Sequence, residues 1–95
     1  MSASIPMKLE VQVIAVSDPD RSKKFYEKLG WRLDEDAAPM DGLRIVQFTP
    51  PGSGTSVDFG INEAKPGSAV NTLVVSDVET AHQELVSRDI EVTDI

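Results

Sequence analysis

An α+β fold is predicted by three features of this sequence. β-branched runs alternate with two short amphipathic helical runs. Each helical run is introduced by an Asp in the position of an N-cap. The order strand, cap, helix, strand occurs twice: a first part reads strand–helix–strand–strand–strand, and a second reads as an incomplete strand–helix–strand.

The elements follow in order. Met1–Pro6 is small and polar, a loose tail. Lys8–Val16 is rich in β-branched residues and long enough for a strand. Asp18 is placed to cap a helix, and Pro19 fits its first position, where a missing N–H costs nothing. Ser22, Phe25, Tyr26 and Leu29 recur at helical spacing and form one face. Gly30 supplies the left-handed cap that ends the helix. Trp31-Arg32-Leu33 begins a short strand running into Asp34-Glu35-Asp36, and Ala37–Gly42 reads as a loop. Leu43–Thr49 and Ser56–Ile61 are strands, joined by Pro50-Pro51-Gly52-Ser53-Gly54, whose composition can continue neither. Asn62–Ser68 reads as a linker. Ala69–Val75 is a strand, Ser76-Asp77 caps a helix over Val78–Arg88, and Glu91–Ile95 starts another strand.

Val16-Ser17-Asp18 recurs as Val75-Ser76-Asp77, and at the same offset Gly30 falls on Asp89 and Trp31 on Ile90. Both caps and both helix ends coincide without a gap, which points to a true internal repeat. Asp89 is then required to adopt the left-handed conformation of Gly30, at a cost of about 1 kcal/mol relative to Gly.

Composition bounds the function. The chain has 95 residues, the size of one domain (1–95), within which 7–62 forms the first module and 69–95 a partial second. It has no Cys, which excludes disulfides and thiolate chemistry, and one His, which excludes a two-His metal site within the chain. A net charge of −7 argues against nucleic acid as a partner. No apolar run reaches membrane-spanning length and no secretory signal is visible, so a cytoplasmic protein is expected.

The segments VIAVSDPDRSKKFYEKLGW, QFTPPGSGTSVDFG and NTLVVSDVETAHQELVSRDIEV resemble the vicinal-oxygen-chelate superfamily, which includes glyoxalase I, bleomycin-resistance proteins and extradiol dioxygenases. The resemblance spans Met7 to Ile95. It implies paired βαβββ modules, each curling a mixed sheet around a cavity with its helix on the outer face. It also implies two further strands in the second module, so the chain reads as truncated at its C-terminal end. An apolar sheet edge left open in this way invites pairing with another copy, and a homodimer is expected.

Metal enzymes of that superfamily place ligands at four positions. The resemblance puts Val11 at the first, Asp58 at the second and Val70 at the third, with the fourth beyond the sequence. Valine has no lone pair, and one carboxylate does not hold a divalent ion, so no metal and no cofactor are expected. Strand alternation then turns Val11, Val13, Gln47, Asp58, Val70 and Thr72 toward the cavity, and Ile14, Val16, Val46, Phe48, Val57 and Phe59 toward the helices. Apolar walls with few polar groups suit a small organic ligand. Asp58 reads either as a pocket carboxylate, whose pKa burial would raise, or as an ordinary exposed polar residue.

Other reactive residue types have structural readings. His82 lies on the helical stripe with Ala81 and Leu85, as a packing residue. Tyr26 and Trp31 read as core, Gly52-Ser53-Gly54 as a turn without the Lys of a phosphate loop, and Asp34-Glu35-Asp36 as a solvated strand end. The expected function is therefore a metal-free glyoxalase/bleomycin-resistance-like protein that binds a small organic molecule. Two alternatives are a metal-dependent lyase, isomerase or dioxygenase completed across a dimer, and a non-catalytic fragment or assembly module.

Overall fold

In the computed structural model, residues 5–60 and 65–95 are described. Their elements are β1 (Val11–Val13), α1 (Pro19–Leu29), β2 (Arg32–Met40), β3 (Leu43–Thr49), β4 (Ser56–Phe59) and α2 (Val78–Ser87). The α+β fold is a curved, mixed four-stranded sheet with two helices. Strand order is β1-β4-β3-β2. β1 runs parallel to β4, and the other pairs are antiparallel.

The start and stop of α1 follow from local chemistry. The Asp18 carboxylate accepts from the backbone N–H groups of Asp20 and Arg21 at 3.1 and 3.2 Å, and Gly30 ends the helix at φ 87°. Tyr26 carries the helix–sheet contact. Its ring lies 5.0 Å from Trp31, 5.5 Å from Phe48 and 5.7 Å from Phe59, centroid to centroid. Phe48 and Phe59 stack on each other at 6.1 Å, and with Val46, Val57 and Ile14 they form the core. Phe25, expected on this face, is 45% exposed, because the contact is filled by Tyr26 and the half-buried Leu29.

An ion-pair network on the helical side ties α1 to β2 and β3. Asp36 accepts from Lys23 Nζ at 2.8 Å and from Arg44 Nε and Nη2 at 3.1 and 3.0 Å, while Arg44 Nη1 reaches Asp20 at 2.6 Å. The Arg44 guanidinium, then Lys23, hold the Asp36 carboxyl down to about 2. That value lies below the ordinary 3.8, so the unfolded chain binds the proton more tightly. The stabilisation is complete above about pH 4 and is lost as pH falls toward 2. Thermal melts of Arg44→Gln are expected to lose stability at pH 7 and to show a flatter acid limb in that window. An unchanged limb would refute this role for the network.

β2 corrects one expectation. Ala37–Met40 continues the strand, and only the turn at Asp41-Gly42 separates it from β3. Pro39 is tolerated because β2 is an edge strand and Pro39 falls within the register irregularity between Ala37 and Met40. The β3–β4 connection is the expected Pro/Gly hairpin loop, closed by Ser53 N–H donating to the Pro50 carbonyl at 3.1 Å.

The second part departs further. α2 forms with Asp77 as its cap, but 69–75 and 91–95 are not strands. Neither segment pairs with the sheet, and a strand without a hydrogen-bonded neighbour has no ladder to join. Leu73 and Val75 are consequently 55% and 46% exposed. Asp89 does take the left-handed conformation foreseen for it, at φ 61°. The repeat-related helix ends also meet in space. The Arg88 guanidinium covers Gly30, where a Cβ would lie 2.6 Å from Nη1, and Lys28 sits 3.7 Å from Asp89. Asp89→Gly is expected to raise stability by about 0.5–1 kcal/mol, since the relieved backbone strain exceeds the exposed ion pair. A denaturant midpoint that falls would show the ion pair to matter more.

Candidate functional site

Strand alternation divides the sheet into two chemically different faces. The helical face holds the apolar core. The opposite, open face is crossed by a row that reads Val13, Asp58, Gln47, Glu35 from β1 to β2. The adjacent row holds Val11 beside Ser56. Four of the residues expected to line a cavity, Val11, Val13, Gln47 and Asp58, are thus brought together. The other two lie elsewhere. Val70 and Thr72 line a groove of about 520 Å³ with Leu9, Gln12, Trp31 and Val57, on the helical side of the sheet. Without strand pairing over 69–75, nothing carries that segment across to the open face.

The two rows differ in how their polar groups are satisfied. Ser56 and Thr49 are buried and their hydroxyls share a hydrogen bond of 2.6 Å, while Thr49 Oγ1 also donates to the Asp34 carboxylate. Asp34 in turn accepts from Arg32 Nε at 2.5 Å. This row is closed. Asp34 sits where the β2 register slips between Leu33 and Glu35, a bulge that turns its carboxylate to Thr49. The contribution of Asp34, Thr49 and Ser56 was missed in the sequence because the run Asp34-Glu35-Asp36 gives no sign of where the bulge falls.

Asp58 is different. Its Oδ1 is buried and has no hydrogen-bond partner among the described residues. Burial, then the nearby charges of Glu35 and Asp34, push its carboxyl above the usual carboxylate range. The folded protein therefore holds this proton more tightly than the unfolded chain does. Ionised Asp58 costs stability at neutral pH, and the cost disappears in acid. Asp58→Asn is expected to melt a few degrees higher than wild type at pH 7 and at the same temperature near pH 3. A variant that melts lower at pH 7 would mean that the carboxylate has a partner after all.

The donor set does not fit a divalent metal. Val11 and Val13 have no donor atoms, Gln47 offers only a neutral amide, Asp58 and Glu35 add two carboxylates on either side of it, and among the described residues no three His, Asp or Glu side chains converge on one point. His82, the single His, has its Nε2 2.9 Å from the Thr93 carbonyl oxygen, which ties α2 to the segment after it. Tyr26 and Trp31 belong to the core or pack against it. No described helix is long and apolar enough to cross a membrane.

The chain is similar in fold to solved structures, among them the following. The antibiotic binding protein TnmS3 from Streptomyces sp. CB03234 is 28% identical, with TM-score 0.71, over 90% of this chain and 74% of that one. A glyoxalase/bleomycin resistance protein from the same strain is 29% identical, with TM-score 0.68, over 85% of this chain and 74% of that one. A member of the glyoxalase/bleomycin resistance protein/dioxygenase superfamily from Sphaerobacter thermophilus DSM 20745 is 29% identical, with TM-score 0.71, over 87% and 72%. No curated protein sequence matches. The sequence profile of the Glyoxalase/Bleomycin resistance protein/Dioxygenase superfamily matches residues 8–95. With its sheet in βαβββ order and the family profile matched along nearly the whole chain, the protein belongs to the glyoxalase/bleomycin resistance/dioxygenase superfamily.

Proposed function

We propose that this protein binds a small organic molecule on the open face of its sheet, without a metal or other cofactor, and acts as a homodimer in the cytoplasm. The observation that carries the reading is the orphaned Asp58 Oδ1, set between Val13 and Gln47 on a face whose other buried hydroxyls are satisfied. Leaving a buried acceptor unpaired costs stability, and a ligand that opens this side chain to a donor relieves that cost. The one-sided sheet supports the dimer: a single layer cannot enclose a ligand, and a second copy supplies the opposing wall. The antibiotic-binding neighbour, at 28% identity, supports a small-molecule ligand.

Protein stripped with EDTA should be screened by thermal shift against aromatic and cationic small molecules, alongside light scattering and elemental analysis. The reading expects a dimer whose melting point rises with ligand in the absence of metal, because a ligand bound only by the folded state raises apparent stability. Ligand shifts that require Zn, Ni, Mn or Fe, or a stoichiometric metal in purified protein, would replace it with the metal-dependent enzyme. A monomer unmoved by every compound would replace it with the non-catalytic module.

A further inference from the structure

We infer that the groove between α1 and the segment around Gly67 is a second binding site, separate from the open face, and that it takes a small organic carboxylate held by Arg21.

The groove has a volume of about 380 Å³ and lies where β1 leads into α1. Its floor is apolar, with Ile14 and Ala15 buried beneath it and Val16 and Tyr26 beside them. Pro66, Gly67 and Asn71 form the far wall. The Gly67 N–H donates to the Ala15 carbonyl at 3.2 Å, so a backbone hydrogen bond joins that wall to the floor.

Three observations give the ligand its class. First, Arg21 is the one charged residue lining the groove. Asp18 caps the helix nearby, but its carboxylate accepts from the Asp20 and Arg21 backbone N–H groups and does not line the groove. Second, the charge of Arg21 is uncommitted. Arg32 pairs with Asp34, Arg44 with Asp20 and Asp36, and Arg88 with Glu84. Arg21 makes no ion pair among the described residues, in a chain whose 16 acidic residues outnumber 9 basic ones. Third, its guanidinium is steadied on the groove wall. Nη2 donates to Ser17 Oγ at 2.9 Å, which leaves the other N–H donors of the fork for a ligand. Ser22 and Asn71 add a hydroxyl and an amide along the same walls.

A cation would be repelled by Arg21. A neutral ligand would strip water from the guanidinium and return nothing for it. A carboxylate compensates the charge and matches the planar fork in two parallel bonds. The apolar floor is of no use to a bare inorganic ion, so the carboxylate is carried on a hydrophobic body.

The test is an NMR titration of ¹⁵N-labelled protein with naphthoate, the neutral naphthamide and inorganic phosphate. The backbone amides of Ser17, Arg21, Ser22 and Gly67 report the groove, and those of Val13, Gln47 and Asp58 report the open face. Naphthoate is expected to move the groove amides and to bind about tenfold tighter than naphthamide, a difference of about 1.4 kcal/mol, with phosphate weaker than naphthoate. Arg21 is exposed, so Arg21→Gln should keep the spectrum of the folded protein while abolishing the preference for naphthoate. Equal binding of naphthoate and naphthamide, or a preference that survives Arg21→Gln, would overturn the role of Arg21. Phosphate binding as tightly as naphthoate would overturn the organic body. Groove amides that naphthoate leaves unmoved would overturn the site itself, whatever happens on the open face.

Discussion

Phe59→Ala is expected to cost about 3–5 kcal/mol, the usual price of deleting a fully buried aromatic side chain. Phe59 is 0% exposed, closes β4, and touches the rings of both Phe48 and Tyr26. Its loss removes the surface on which α1 is seated as well as part of the sheet interior. A domain of this size has a total stability of only about 5–15 kcal/mol, so the variant should be substantially destabilised, with a steep fall in its urea midpoint. Because Phe59 neighbours Asp58 in the chain but faces the other way, the damage should also reach the open face through the β4 backbone. A variant within about 1 kcal/mol of wild type would show that the core collapses around the cavity and that the aromatic stack is dispensable.

Gly60→Ala is expected to be nearly as damaging for a different reason. Gly60 has φ 102°, and a Cβ there would collide with the carbonyl oxygen of Arg44, a backbone atom that cannot swing aside. The strained backbone conformation costs about 1–3 kcal/mol, and displacing the start of β3 adds to it. That displacement would also disturb the Arg44 bonds to Asp20 and Asp36. Circular dichroism and thermal melts should show a destabilised protein with its secondary structure largely kept. By contrast, Gly42→Ala, with a positive φ of 79° but open space where the Cβ would sit, should show only the conformational cost. Equal losses at the two positions would remove the steric argument for Gly60.

The helices and the central hairpin were legible in the sequence because their signals are local. Asp18, Pro19, Gly30 and Asp77 act on bonds within a few residues of themselves, and the structure uses each as expected. The assignment of faces was legible too: alternation put Val57 and Phe59 with the core and Gln47 and Asp58 on the other side. The extent of β2 was not, because Pro39 ends a strand in an interior position and is harmless on an edge, and only sheet order tells which applies. The expected strands at 69–75 and 91–95 failed for the complementary reason. Their composition favours extended backbone, but a strand exists only with a partner, and no residue within them names one.

Taken alone, the sequence determined the superfamily, the capped helices, the left-handed Asp89 and the lack of metal-ligating side chains at Val11 and Val70. These depend on side-chain chemistry and on bonds between near neighbours. Only the tertiary structure decided that Thr49, Ser56 and Asp34 satisfy one another while Asp58 Oδ1 is left without a donor, and that Val70 and Thr72 lie in a separate groove. The reason is physical. Whether a buried polar atom is paired depends on the register between distant strands, and a bulge of one residue in β2 is enough to change it.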